Sequence, residues 1–597
     1  MPWGRWIDRL KFRQVVFLLS FIGILSYANA IFHPFVHDDI VFIRDNPLIG
    51  RWDSLPSIFT QPTSAHPLDI ITHYYRPVLE IVYRAQYALF GANAAGYHFV
   101  NILLHIANGI LIYALLLLLF KDSFLSFGTA VLFLIHPVQS EAVACIAGIS
   151  NLLFSFFCLA SFVLYLMAGE KRRGRRRVFL YIASLVFYLA GLFTKEQAVV
   201  LPFLIILYEV YLKGEAVKKL KDFLPLAGFF ILTAVFLLWR AALIRFSPAA
   251  IDLTSPELWL RIAAIPQTLL SYFRALVFPL DLHYYRCVDI LKPFLWPAAV
   301  LACFTAGAAF FISYLPMHKR RIILFGCAWF FITILPTLNI VPLIVEYSFI
   351  MASEHFLYLS AVGFFLSGVV IVGFLYRRVS LQAKGKIVAP LCLLIVFTLI
   401  LMTMKQNHYW RGEIPLFERT LAFERNLGRV RILLARAYYF NKETDKAIGE
   451  YQKALDIMTG YAGKVKDPKA LKFYLGFVKE IHFDLAHCHE NKNEFVAAIG
   501  EYEKALAMDA KDAAIYNNLG TVYLRLDRLS EAADAFRRAL IVDPRDVRSL
   551  NNLAFCLIKE GKTKDARELF EKALEIDPQF APARQNLMRL LLEEKPL

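Results

Sequence analysis

Charged side chains are scarce in this 597-residue chain, and the scarcity is uneven. Only 19% of residues are charged, against about 25% in ordinary soluble domains. Residues 1–405 hold 34 Lys+Arg and 20 Asp+Glu, whereas residues 406–597 hold 31 and 29. The net charge of +16 therefore divides into +14 and +2. That division excludes a row of four soluble domains, the number length alone suggests at ~150 residues each. It describes a membrane half joined to a soluble half. The basic residues stand in short clusters between apolar runs, not on one soluble face, so pI 9.3 does not indicate a nucleic-acid partner. The eight cysteines form no C-x-x-C pair and no metal-ligand spacing, so they read as small buried apolar groups. No glycine-rich phosphate loop or dinucleotide fingerprint occurs, which leaves a nucleotide-sugar donor without support.

What is abundant is apolar length. Stretches suited to a bilayer core, which takes ~20 residues, lie at 15–32, 97–120, 124–142, 149–168, 178–193, 197–212, 222–241, 261–280, 292–313, 321–340, 356–376 and 387–404. The positive-inside rule orients them. Arg5, Arg9, Lys11 and Arg13 place the N-terminus in the cytoplasm. The run from Lys171 to Arg177, Lys213 with Lys218, Lys219 and Lys221, His318–Arg321, and Arg377-Arg378 with Lys384 and Lys386 belong on the same side. Those assignments agree only if 261–280 does not cross. It carries Arg274 at its centre and Pro266 and Pro279, which suits an interfacial or re-entrant segment. Eleven spans remain, and the C-terminal half lies outside. Val15–Tyr27 followed by Ala28-Asn29-Ala30 also has the form of a signal peptide with its cleavage site; in a multi-pass chain the expectation is that it is retained.

The soluble half has a 34-residue period. Gly520, Tyr523, Ala532, Phe536, Ala539 and Pro544 return as Ala554, Leu557, Ala566, Phe570, Ala573 and Pro578. Earlier copies hold Ala486, His489, Ala498, Tyr502 and Ala505, and then Ala435, Tyr438, Ala447, Tyr451 and Ala454, with an insertion at about 459–476. The small residues let paired helices approach and the aromatic fills the groove between them. The pattern is similar to the tetratricopeptide (TPR) repeat, whose solenoid offers a concave surface to protein partners and has no chemistry of its own. The division expected is a membrane domain at 1–405, a linker and half repeat containing Phe417 at 406–428, and a solenoid of four repeats with a capping helix at 429–597.

The polar residues of the membrane half gather at span ends, where ionisable groups point to function. They are His37-Asp38-Asp39, His73-Tyr74-Tyr75-Arg76-Pro77, His136-Pro137 with Glu141, Lys195-Glu196 and Ser353-Glu354-His355. In the eleven-span topology all of them face outside. Two carboxylates alone would permit glycoside hydrolysis. A sugar on a lipid phosphate already has a good leaving group, so its transfer needs one carboxylate to take a proton from the attacking hydroxyl. Cations must then hold the departing phosphate. Asp38 or Asp39 can be the base, and Arg76, Lys195, Arg274 and His355 can supply the charge.

Phe35-Val36-His37-Asp38-Asp39, Tyr75-Arg76-Pro77, Gly96–Asn101, His136–Val143, Lys195-Glu196 and Ala352–Leu359 follow one another in an order that resembles the transmembrane-and-TPR O-mannosyltransferase family. That family lies in the GT-C superfamily of polyprenyl-phosphate-sugar glycosyltransferases. The resemblance implies an all-α fold: a GT-C membrane domain of about 11 spans with interfacial helices, followed by a TPR α-solenoid. It implies an inverting transfer of a mannose-like sugar to Ser/Thr hydroxyls of translocated proteins, with the acidic base at Asp38-Asp39. Tyr75, Arg76, His136, Glu141, Lys195, Glu196, Arg274, Glu354 and His355 become candidate substrate contacts. The polyprenyl-phosphate-linked sugar is the donor; if a divalent cation takes part, Asp38 and Asp39 are its candidate ligands. Partners are the lipid-linked donor, the bilayer and a protein acceptor in the TPR groove. The setting expected is a bacterial inner membrane with periplasmic repeats, or an ER membrane with lumenal repeats in a eukaryote.

Two departures from the family pattern stand out: Gly148-Ile149-Ser150-Asn151 replaces Gly-Arg-x-Asp, and His355 replaces Arg. Both remove fixed positive charge near the phosphate site. The alternatives are a lipid-linked oligosaccharide ligase or polymerase, which is expected to use Arg and His rather than an acidic pair in the first loop, and a non-catalytic membrane-anchored TPR scaffold.

Overall fold

The computed structural model describes residues 10–53, 55–61, 74–170, 174–213, 224–244, 256–289, 295–338, 349–380, 384–465 and 468–593. His73, Arg5, Arg9, Lys171–Arg173 and Lys218–Lys221 lie outside them. The chain separates into two compact units, 1–423 and 424–597.

Among the described residues of the first unit, nine helices are long and apolar enough to cross a membrane. They are Phe12–Ala30, Ala94–Phe120, Ile149–Glu170, Arg175–Thr194, Leu224–Leu243, Trp296–Ser313, Met317–Thr337, Glu354–Arg378 and Lys386–Arg411. The protein is thus an integral membrane protein, and its described residues are helical apart from one small two-stranded sheet. The other two of the eleven expected stretches are helical but broken. Ser123–Ile135 and Pro137–Ala144 bend by 56° at His136, where Pro137 has no N–H to continue the ladder. The segment expected at 197–212 passes from a tight turn at Glu196–Val200 through an α-helix at Leu201–Leu207 into a wide π-turn at Tyr208–Leu212.

The segment at 261–280 divides into helices Pro256–Ala263 and Ile265–Val277. Pro266 sits in the first turn of the second helix and Pro279 follows its end. Thirteen residues give about 20 Å of helix, short of a ~30 Å core. The Ala28-Asn29-Ala30 turn is tied into the fold: Asn29 donates to the Met404 carbonyl at 2.8 Å, and Asn407 donates to Ser26 O at 3.0 Å.

Among its described residues the second unit runs through nine helices, from Gly428–Phe440 to Ala581–Glu593: four pairs, as the period requires, and a last single helix. Gly520 lies where a Cβ would meet the Phe536 ring at 2.6 Å, so the small residue is what lets the paired helices close. The insertion at 459–476 lengthens the flanking helices to Thr444–Ala462 and Pro468–Asn491, with Tyr461 stacked on Tyr474 at 5.5 Å. Phe417, expected in a half repeat, belongs instead to the membrane unit. Its helix, Glu413–Phe423, buries it there with its ring edge-on to His37 at 5.6 Å. The division between the two units falls at 423/424, inside the expected linker 406–428.

Candidate active site

The segment that follows the first apolar helix turns sharply at His37, whose φ is +52°. This left-handed residue, rare for a side chain of its size, sends two neighbouring carboxylates to different places. Asp39 is buried at 1% exposure. Its two oxygens accept from the backbone N–H groups of Val36 at 3.1 Å and Ala147 at 2.7 Å. Burial pushes its acid up to about 7 against the pull of those two N–H groups. Asp38 stays 48% exposed, with the His37 imidazole at 3.5 Å. One carboxylate is built into the scaffold and the other is open.

The segment that receives Asp39 is itself fixed. Asn101, buried in helix Ala94–Phe120, donates to the carbonyls of Val143, Cys145 and Ile146 at 3.0–3.3 Å. Gly148 follows, and a Cβ there would meet the Ala142 carbonyl at 2.4 Å. On the same segment Glu141 accepts twice from His355, from its backbone N–H at 3.0 Å and at Nδ1 at 2.7 Å.

The cations collect nearby. Arg76 donates to Glu196 at 3.0 Å, and Arg240 approaches the same carboxylate at 3.7 Å. Burial pushes Glu196 up, but Arg76 and Arg240 outweigh it and hold the carboxyl below its usual range. Tyr74 packs under the Arg76 guanidinium, 4.1 Å from ring centre to charge. Lys195 is buried, 2.5 Å from Asn151 Oδ1 and 5.8 Å from the rings of both Phe154 and Phe356. Asn151 is the position where the resembled pattern has Asp, so the ammonium meets a neutral amide. Burial first, then the Arg76 charge, push Lys195 down to about 7. Two guanidinium groups and an ammonium thus surround Glu196, an arrangement that favours an added anion.

Lys195 should charge as pH falls through 7. Because its folded-state value is depressed, the stability linked to its neutral form is present at alkaline pH and lost as pH drops toward 7. Anion binding has the opposite sign: the ammonium that attracts phosphate is lost above 7. Affinity for an added anion such as inorganic phosphate should therefore weaken between pH 6 and 8.5, and Lys195→Arg, which stays protonated, should flatten that dependence. A binding titration across this range checks it.

Other expected contacts sit in the scaffold. His136 engages the backbone at both ring nitrogens, Leu276 O at 3.1 Å and Val138 N at 3.2 Å, which leaves no nitrogen for substrate. The Tyr75 hydroxyl donates to Phe59 O at 2.9 Å and accepts from Trp239 at 3.0 Å. Glu354, 1% exposed, turns away from His355 to accept from the His283 N–H at 2.7 Å and to pair with Arg286 at 3.5 Å. Arg274 is 65% exposed and pairs with Asp281 at 2.9 Å, in the Arg286 cluster and not beside Glu196. Among the described residues no group of three His, Cys, Asp or Glu side chains converges on a metal position.

Arg240, Asp281, Tyr284 and Arg286 were not legible from the sequence. Arg240 lies near the end of an apolar helix, and the loop 281–286 comes beside 352–354 because strand β1 (Cys287–Asp289) pairs antiparallel with β2 (Phe349–Met351) and the Ala352 N–H donates to the Arg286 carbonyl.

The chain is similar to curated protein O-mannosyl-transferases. The Mus musculus protein TMTC3 is 24% identical over 498 residues, covering 76% of this chain and 52% of that protein. A Caenorhabditis elegans protein of the same name class is 25% identical over 75% of this chain and 63% of its own length. The human protein TMTC4 is 25% identical over 67% and 60%. The chain thus spans between about half and less than two thirds of these relatives. The tetratricopeptide-repeat family model matches residues 512–579. Among solved structures, a MamA crystal structure is 21% identical over 28% of this chain and 88% of its own, with a TM-score of 0.24. The motif resemblance to the O-mannosyltransferase family therefore extends over about three quarters of the sequence.

Proposed function

We propose that this chain is a membrane glycosyltransferase that moves mannose from a polyprenyl-phosphate donor to a Ser or Thr hydroxyl of a protein, with inversion. The observation that carries the reading is the open Asp38 carboxylate in the same unit as the Arg76, Arg240 and Lys195 cations. Tyr74 links the two, since its phenol is within electrostatic reach of Asp38, Arg76 and Glu196. Asp38 takes the proton of the attacking hydroxyl as the new C1–O bond forms. The C1–O bond to phosphate breaks on the opposite face, which inverts the centre. The charge left on the polyprenyl phosphate is met by Lys195 and the guanidinium of Arg76. The names of the similar proteins support the same acceptor and sugar.

In this reading the eleven-span topology puts the N-terminus in the cytoplasm and the repeats on the far side, periplasmic in a bacterial inner membrane. The repeat unit then presents the protein acceptor, and its near-neutral charge of +2 makes it no electrostatic trap for anionic lipid. Purified full-length protein with polyprenyl-phosphate-mannose and a Ser/Thr peptide should yield mannosyl-peptide; hydrolysis alone, or no turnover, would remove the proposal. Deleting 424–597 should leave transfer to the short peptide largely intact and lower modification of an intact protein acceptor, because the solenoid contributes binding and not chemistry. Equal loss on both acceptors would assign the repeats a structural role.

A further inference from the structure

The loop Asp281–Arg286 carries one side chain whose ring is packed but whose polar atom the fold does not use. Its other polar members are engaged: Asp281 with Arg274 and Arg286, His283 through its N–H with Glu354, and Arg286 with both carboxylates. Tyr284, half-buried, stands apart. Its hydroxyl makes no hydrogen bond to the described residues and, unlike those of Tyr27 and Tyr272, is not fully buried, so it is open to a ligand. The ring is nevertheless held firmly. It meets His37 edge-on at 5.5 Å, Trp410 at 5.8 Å and Tyr285 at 5.1 Å. The following residue, Tyr285, has φ +63°, a conformation that costs energy for a side chain of this size and must be held by its surroundings.

Two positive-φ residues, His37 and Tyr285, therefore flank this place, one beside Asp38 and one beside Tyr284. The His37 ring touches both neighbours, with Asp38 Oδ1 at 3.5 Å on one side and the Tyr284 ring on the other. The β1–β2 pairing, continued by the Ala352 N–H to Arg286 carbonyl bond of 2.7 Å, carries the loop alongside the strand that leads to His355 and so to Glu141. The phenol is within electrostatic reach of both Asp38 and Glu141. Its ring thus shares the His37 imidazole with the open carboxylate of Asp38.

We infer that Tyr284 binds the transferred sugar, its hydroxyl hydrogen-bonding a sugar hydroxyl while its ring bounds the pocket opposite Asp38. This rests on the transferase reading. In a single displacement the sugar must occupy the space between the base and the groups that hold the leaving phosphate. A rigid aromatic with an unused hydroxyl, next to the base, suits that space. Tyr284 takes no proton, so the pH dependence of transfer does not depend on its hydroxyl.

The test uses the full-length protein in detergent with short-chain polyprenyl-phosphate-mannose and a Ser/Thr peptide. Tyr284→Phe keeps the ring and its packing and should leave the thermal midpoint unchanged. Loss of one uncharged hydrogen bond should raise the donor KM about 3- to 10-fold, with peptide KM and pH profile unaltered. Tyr284→Ala should lose more. An unchanged donor KM overturns the assignment, as does an effect confined to the peptide KM or a shifted pH profile. Absence of transfer by the wild-type protein overturns the transferase reading and this inference together; wild-type transfer with an unaffected Tyr284→Phe overturns the inference alone.

Discussion

Replacing Asp38 by Asn should lower turnover about 10²–10⁴-fold while the protein still folds. The expectation follows from how little Asp38 does for the fold. It is half exposed and its one ion-pair neighbour, His37 at 3.5 Å, is itself partly open to solvent. Asparagine keeps the size and polarity and removes the proton acceptor. The adjacent carboxylate supplies the control. Asp39→Asn turns an amide NH2 toward a backbone N–H that Asp39 now satisfies, at Val36 or Ala147, so activity and thermal midpoint should fall together. The measurement pairs melting curves with initial rates for both variants. Full activity in Asp38→Asn would remove the base. Similar loss without any destabilisation at both positions would indicate a shared metal site, contrary to the way Asp39 spends its oxygens on the main chain.

The contrast between these neighbours shows where sequence reasoning reaches. That Asp38-Asp39 is an acidic pair just after the first apolar stretch is legible from residue type and position. That the pair divides its roles depends on the φ of His37 and on an N–H supplied by Ala147, 108 residues along the chain. The long apolar helices were legible because bilayer length imposes a long apolar run, and the break in 261–280 because Pro266 sits in the first turn of the helix Ile265–Val277. The repeats were legible because helix pairing demands a small residue and an aromatic at fixed spacing, as at Gly520 and Phe536.

The partners within the site were not legible. Arg76 with Glu196 and Glu141 with His355 lie 120 and 214 residues apart, and no local rule couples them. His136 and Tyr75 mark the opposite case: polar residues in a motif-like setting whose hydrogen-bonding atoms serve the backbone, as the bend at Pro137 and the contact with Phe59 require. Tyr284 and Arg286 belong to no motif at all. Their importance comes from the register of a three-residue strand pair, which sequence alone does not set.

That strand pair underlies the second large effect. Arg286→Met should destabilise the membrane unit by about 3–5 kcal/mol, because it leaves a buried carboxylate without its cation. Arg286 donates to Asp281 Oδ2 at 3.3 Å, to the Asp281 carbonyl at 2.8 Å and to Glu354 at 3.5 Å. Asp281 would retain Arg274, which is mostly exposed and screened by solvent. Glu354 would retain only the His283 N–H among these contacts. A second substitution, Glu354→Gln, removes the stranded charge and keeps an acceptor for that N–H, so the double variant should recover a large part of the loss. The coupling between the two sites, measured by unfolding in detergent, separates charge burial from simple packing: additive losses would mean that the pair matters only as volume. Recovery of stability should also restore transfer in part, because Glu354 adjoins His355, whose N–H and Nδ1 hold Glu141 in the site. A double variant that regains its fold but not its activity would instead assign the Arg286 guanidinium a direct part in binding the donor.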